Sequence, residues 1–146
     1  MQLTLFSDLA LRVLMFTHAA GDRLVTIDEI AESYVISRTH LTKVVNALTR
    51  AGYLQAVRGR SGGLRLAMSP DEIVLGDVVR TTEPDFALVE CFSTGNQCVI
   101  TNCCRLRGVL HEALDAFLSV LDRTTLEGIA LRPKDFRSLA RMGEGR

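Results

Sequence analysis

The chain has 146 residues, room for one compact domain with an appendage, and a chain of this size buries roughly 70% of its unfolded surface. With 47% hydrophobic residues it is too apolar for intrinsic disorder, yet no run approaches the ~18 consecutive apolar residues of a membrane span. The formal net charge of zero hides an asymmetry: residues 33–70 contain no acid but carry Arg38, Lys43, Arg50, Arg58, Arg60 and Arg65, while the rest of the chain sets eleven basic residues against seventeen acidic ones.

The opening MQLTLFSDLALRVLMF lacks the basic lead and cleavage site of a secretory signal and reads as an amphipathic helix, so a cytoplasmic protein with no membrane partner is expected. Leu5, Leu9, Val13 and Phe16 recur at helical spacing over residues 3–19, before a break at Gly21-Asp22. Thr26 with Glu29 forms a capping-box pattern opening a second helix to about Ser33, with Ile27, Ile30 and Ala31 inward. Tyr34, Val35 and Ile36 make a turn, after which Ser37 is placed to cap a third helix. Its apolar stripe is Leu41, Val44, Val45 and Leu48, and its other sides display Arg38, Thr39, His40, Thr42, Lys43, Asn46 and Arg50 up to the stop at Ala51-Gly52.

YLQAVRGRSGGLRLAM then reads as a β-hairpin with a flexible basic tip, a wing. Three helices followed by such a hairpin form a winged helix-turn-helix, and a third helix of this composition suits the major groove of double-stranded DNA. The candidate contacts are Ser37, Arg38, Thr39, His40 and Lys43 on the helix and Arg58, Arg60, Ser61, Gly62 and Gly63 on the wing. Arg12 on the first helix suits either a phosphate or a surface ion pair. The wing is no nucleotide-binding loop, because a strand rather than a Gly-Lys-Ser/Thr helix start follows its glycines.

A short helix around residues 73–79 closes the head before Pro84. All four cysteines follow within VECFSTGNQCVITNCCRL, where Cys91, Cys98 and Cys104 are separated by six and five residues and Cys103 is an additional thiol. In a reducing compartment such a cluster suits an iron–sulfur cluster, a zinc site or a redox thiol switch better than a disulfide framework. A thiol-dependent enzyme would want a base beside the nucleophile, but His18, His40 and His111 are scattered over helices, so no catalytic residues and no enzymatic activity are expected. Residues 105–127 give the longest helical pattern, with Leu106, Leu110, Ala113, Phe117 and Val120 as a near-heptad seam flanked by Leu114 and Leu121, a stripe that needs a partner surface. The tail after Pro133 is expected to fray.

The expected fold is mainly α: a winged helix-turn-helix DNA-binding domain over residues 1–83, a cysteine-bearing loop over 84–104, and a long dimerisation helix with its tail over 105–146. MQLTLFSDLALRVLM, ISRTHLTKVVNALTRAGYLQAVRGRSGGLRL, LGDVVRTTEP and the three spaced cysteines together resemble the iron–sulfur winged-helix transcription regulators, over about nine-tenths of the chain; CVITNCCRL is most similar to their nitric-oxide-sensing branch. The resemblance implies a homodimeric repressor on a palindromic operator, holding a 4Fe-4S cluster on Cys91, Cys98 and Cys104 and releasing DNA when nitric oxide attacks it. It further implies a fourth, oxygen ligand from the other subunit at Asp8, which alone reads as an exposed carboxylate in a helix's first turn. The 2Fe-2S branch carries a histidine three residues after its last cysteine, where this chain has Arg107. Iron or cluster supply as the signal, and a zinc-structured interaction module, are the competing readings.

Overall fold

The computed structural model describes residues 2–132, 134 and 135; the tail expected to fray lies largely outside them. The described residues form α1 (Leu5–Ala19), α2 (Ile27–Tyr34), α3 (Arg38–Arg50), β1 (Leu54–Val57), β2 (Gly63–Leu66), α4 (Leu75–Thr82), a 3-10 turn (Glu90–Phe92), α5 (Arg105–Asp122) and a second 3-10 turn (Glu127–Ile129). This is the expected mainly helical winged helix-turn-helix followed by a long helix.

Thr4 is extended and its side chain accepts from the Ser7 amide at 3.3 Å, so α1 starts two residues later than the pattern suggested. Leu5 consequently stands ahead of the inward face and is 61% exposed, while Leu9, Ala10, Val13, Leu14 and Phe16 enter the core. Thr26 caps α2 through the Glu29 amide at 3.1 Å. The Glu29 carboxylate does not return the bond; it takes both arms of Arg23, at 2.7 and 3.0 Å. Leu41, Val44, Val45 and Leu48 of α3 are buried as the stripe required. The wing strands pair antiparallel from Leu54 opposite Leu66 to Val57 opposite Gly63, and a bridge from Val25 to Leu64 fastens the hairpin to the helices.

Two further expected boundaries move. α4 begins at Leu75 because Ile73 and Val74 are extended and bridge to residues 124–126: Leu126 N donates to Ile73 O and Leu75 N to Thr124 O, both at 2.9 Å. α5 therefore stops at Asp122 rather than near Glu127, and the following chain turns back to bury Leu126 beside α1 and α4. The expected seam of α5 also divides. Leu110, Leu114, Phe117 and Leu121 are half-buried against the body, whereas Leu106, Val109, Ala113, Ala116 and Val120 are exposed. No residue of the 18-residue helix is fully buried.

Val35 closes α2 in the left-handed region at φ 56°, ψ 50°, with its side chain 72% exposed. A β-branched residue there costs about 1–2 kcal/mol and gains little from burial. Val35→Gly should therefore raise stability by roughly 0.5–1 kcal/mol after the added freedom of the unfolded chain, a shift of about 2 °C in thermal unfolding. A lowered melting temperature would show that the exposed isopropyl group has a packing role.

Candidate nucleic-acid interface and metal centre

Packing of the α3 stripe leaves Arg38, Thr39, His40, Lys43, Asn46 and Arg50 exposed along its outer side. Ser37 holds the cap position, but its hydroxyl makes no capping bond, contrary to expectation, and the residue is exposed to solvent. Two of the candidate cations are engaged within the chain. Arg38 Nε pairs with Asp28 of α2, and Arg12 Nε and NH2 hold the Asp8 carboxylate at 3.1 and 2.9 Å. Arg12 also lies 6.0 Å from the Tyr34 ring centre, and burial pushes the Tyr34 hydroxyl above its ordinary pKa. Lys43, Arg50, Arg58 and Arg60 form no ion pair among the described residues.

The wing tip presents Arg58, Arg60 and Ser61 to solvent. Gly62 and Gly63 have packing reasons of their own: a Cβ at Gly62 would stand 2.3 Å from Val57 O, and one at Gly63 2.8 Å from Val25 O. These glycines set the hairpin's shape, and the neighbouring arginines supply its charge.

Cys91 is half-exposed in the Glu90–Phe92 turn, Cys98 and Cys103 are exposed, and half-exposed Cys104 is the residue before α5; all four are free thiols. Their segment is shaped by polar side chains. Glu90 accepts from the Gln97 amide at 2.9 Å, Asn96 accepts from the Thr101 hydroxyl at 2.8 Å, and Cys103 Sγ points to Ile100 O at 3.4 Å. Phe92 packs on His111 of α5 with ring centres 3.9 Å apart, and the Nδ1 of that imidazole lies 3.0 Å from Arg107 O.

Within one chain no three His, Cys, Asp or Glu side chains converge closely enough to hold a metal, among the described residues. The donor set nonetheless suits an iron–sulfur cluster. The thiols are neither consumed by disulfides nor buried in the core, no acidic residue lies between Glu90 and Glu112, and Arg107 Nε is buried without a hydrogen-bond acceptor. Asp8 stands apart on α1 with Arg12 as its partner. That pair was readable from the i, i+4 spacing; the Phe92–His111 contact and the Asp28–Arg38 pair join residues whose neighbourhood only folding creates.

A reading helix beside a basic wing, on a body built from α1 to α4, defines a DNA-binding winged helix-turn-helix transcription regulator rather than an enzyme. The family model described as "Rrf2: Iron-dependent Transcriptional regulator" matches residues 3–131, and the chain belongs to that family. It is 50% identical over 147 residues to the HTH-type transcriptional regulator NsrR of Geobacillus kaustophilus, covering 99% of this chain and 100% of the relative. It is 47% identical to NsrR of Bacillus subtilis, again over 99% and 100% of the two chains. Among solved structures, oxidized Staphylococcus aureus CymR superposes with a TM-score of 0.75 at 25% identity, over 90% of this chain and 98% of that one. CymR of B. subtilis, described as its global cysteine regulator, gives 0.73 at 26% identity over 89% and 96%. No helix among the described residues is long and apolar enough to cross a membrane.

The exposed wing arginines lead to a measurable expectation. On a generic DNA duplex, raising salt from about 50 to 200 mM should weaken binding on the order of 10^3-fold if about six phosphates are contacted. Arg60→Ala should lower affinity several-fold and reduce the log–log salt slope by about one. An unchanged slope in fluorescence anisotropy would remove the wing from the interface.

Proposed function

We propose that this chain is a homodimeric, cluster-dependent transcriptional repressor that holds a 4Fe-4S cluster on Cys91, Cys98 and Cys104 and releases operator DNA when nitric oxide reaches it. The observation that carries the reading is the placement of the free thiols. They occupy one solvent-accessible segment joining the DNA-reading head to a long helix whose outer stripe is uncovered. Similarity to NsrR proteins across nearly the whole chain supports the same reading.

Dimerisation follows from the exposed face of α5. Leu106, Val109, Ala113, Ala116 and Val120 are spaced three and four residues apart, the a and d pattern of a two-helix seam, and a second copy would cover them. Ser37, Thr39, His40, Lys43 and the wing's Arg58, Arg60 and Ser61 are available to phosphates and base edges. The bound cluster would supply a reactive, nitric-oxide-labile metal site; the chain would supply three thiolates, and Arg107, three residues after Cys104, has a buried Nε with no hydrogen-bond partner among the described residues.

Asp8, proposed as the oxygen ligand from the partner subunit, adds a coupling element. Its carboxylate is held by Arg12, so a carboxylate engaged elsewhere leaves the Arg12 guanidinium free for a DNA phosphate. With the carboxylate returned, Arg12 is neutralised again. The pair is about half exposed, so exchanging its partner costs little.

Cys98→Ala should abolish iron and sulfide in anaerobically prepared protein while leaving helix content and dimer intact, since Cys98 is exposed and packs against nothing in the core. Loss of the dimer together with zinc in the wild type would instead mark a structural metal module. Stoichiometric nitric oxide added anaerobically should bleach the visible absorption and release a palindromic duplex selected by the wild-type protein. Bleaching with binding unchanged would reject nitric oxide as the signal and favour iron or cluster supply.

A further inference from the structure

The far end of α5 carries a construction that DNA contact and cluster binding leave unexplained. Arg80 of α4 grips Asp122, the last residue of α5, through both terminal guanidinium nitrogens, NH2 meeting Oδ2 at 2.8 Å. Gly76, one helical turn earlier, leaves the space for it: a Cβ there would stand 1.9 Å from Asp122 Oδ1 and 2.8 Å from Arg80 NH1. The Gly76 backbone is helical, where alanine is favoured over glycine, so the missing side chain serves the ion pair and not the chain's conformation.

Both side chains are 41% exposed, which makes the pair a weak source of stability. Its geometry is more telling, because a bidentate guanidinium–carboxylate contact fixes an orientation as well as a distance. The hydrogen bonds from Arg80 hold the Asp122 carboxyl below its ordinary range. Just beyond, residues 124–126 are stitched to residues 73–75 by two backbone bonds of 2.9 Å, and Leu126 is buried in the head's core. That short bridge resists separation, and the fork one turn away resists rotation about it.

We infer that the Arg80–Asp122 fork seated on Gly76 is the joint that fixes the angle between α5 and its reading head, and thereby the half-site spacing the dimer accepts. The inference rests on the reading of a DNA-binding dimer paired through α5, in which the head's angle to that shared axis sets the separation of the two α3 helices. Arg80, Asp122 and Gly76 are positioning residues, with no part in contacting bases or iron.

The test uses the full-length protein prepared anaerobically. The probes are a palindromic duplex that the wild type selects from a random-sequence pool, and derivatives with one base pair inserted or removed between half-sites, a rotation of about 35°. The wild type should lose affinity on the order of 100-fold on the altered duplexes. Asp122→Asn, and Gly76→Ala, which displaces the carboxylate without changing charge, should keep the fold, the dimer and the visible cluster spectrum yet lose less than about 5-fold. Arg80→Asp combined with Asp122→Arg should recover most of the discrimination. Variants that discriminate spacing as sharply as the wild type, whatever their melting temperatures, would overturn the joint while leaving the functional reading intact. A wild type that selects no duplex, or binds without regard to spacing, would overturn both.

Discussion

A buried hydrogen bond between two hydroxyl groups decides how the DNA-reading head meets the cysteine segment. Ser7 Oγ on α1 and Thr82 Oγ1 on α4 lie 2.7 Å apart, and the Thr82 hydroxyl is also 2.9 Å from Val78 O. Thr82 has one proton, best used on that carbonyl, so Ser7 is the donor of the pair. Next to it Thr4 presents both its amide and its hydroxyl to Glu83, at 2.8 and 2.9 Å. Losing the Thr82 hydroxyl would strand the Ser7 donor at a cost of about 1–3 kcal/mol, whereas Thr82 without Ser7 keeps its bond to Val78 O. The start of α1, which carries Asp8, is thus fixed to the point where the chain leaves the head for Cys91.

Charges in the reading head are set in two tiers. Lys43, Arg58 and Arg60 have no ion-pair partner among the described residues, whereas Arg12 and Arg38 are held by Asp8 and Asp28. Exposed pairs of this kind are worth little to stability, so the acids act mainly as local masks over cations a phosphate would otherwise claim. Asp28 lies on α2, outside the acid-free stretch that begins at residue 33, and reaches its partner only because helix-turn-helix packing brings the two helix starts together.

Local signals in the sequence were sufficient for the head. The α3 stripe, the Thr26 cap and the glycine-broken hairpin each follow from spacing over a few residues, and tertiary packing agrees with them. The ends of α4 and α5 were not legible in the same way. Residues 123–127 continue a helical pattern, but the bridge from Val74 to Thr125 and the burial of Leu126 outweigh propensity there. The α5 seam was misjudged for a related reason: a helix apolar on two sides has two stripes, and periodicity alone does not say which meets the body. For the candidate metal centre, the spacing of Cys91, Cys98 and Cys104 marks the thiols, while their side-chain geometry depends on a loop that local pattern does not specify.

That loop also stands largely outside the core. The 3-10 turn at Cys91 is anchored by Phe92 on His111 and by Glu90 on the Gln97 amide, yet Val99 is 98% exposed and Ile100 52%. Such a segment adds little to the core, so the energy of holding it in a ligand-binding shape must come from the ligand itself. The winged-helix body, by contrast, closes its core on Phe16, Leu48 and Leu126 without help from the thiols. A regulator built this way does not depend on its cysteine segment to remain folded. A change in the cysteine segment is then free to alter how an intact reading head is held, which unfolding would abolish.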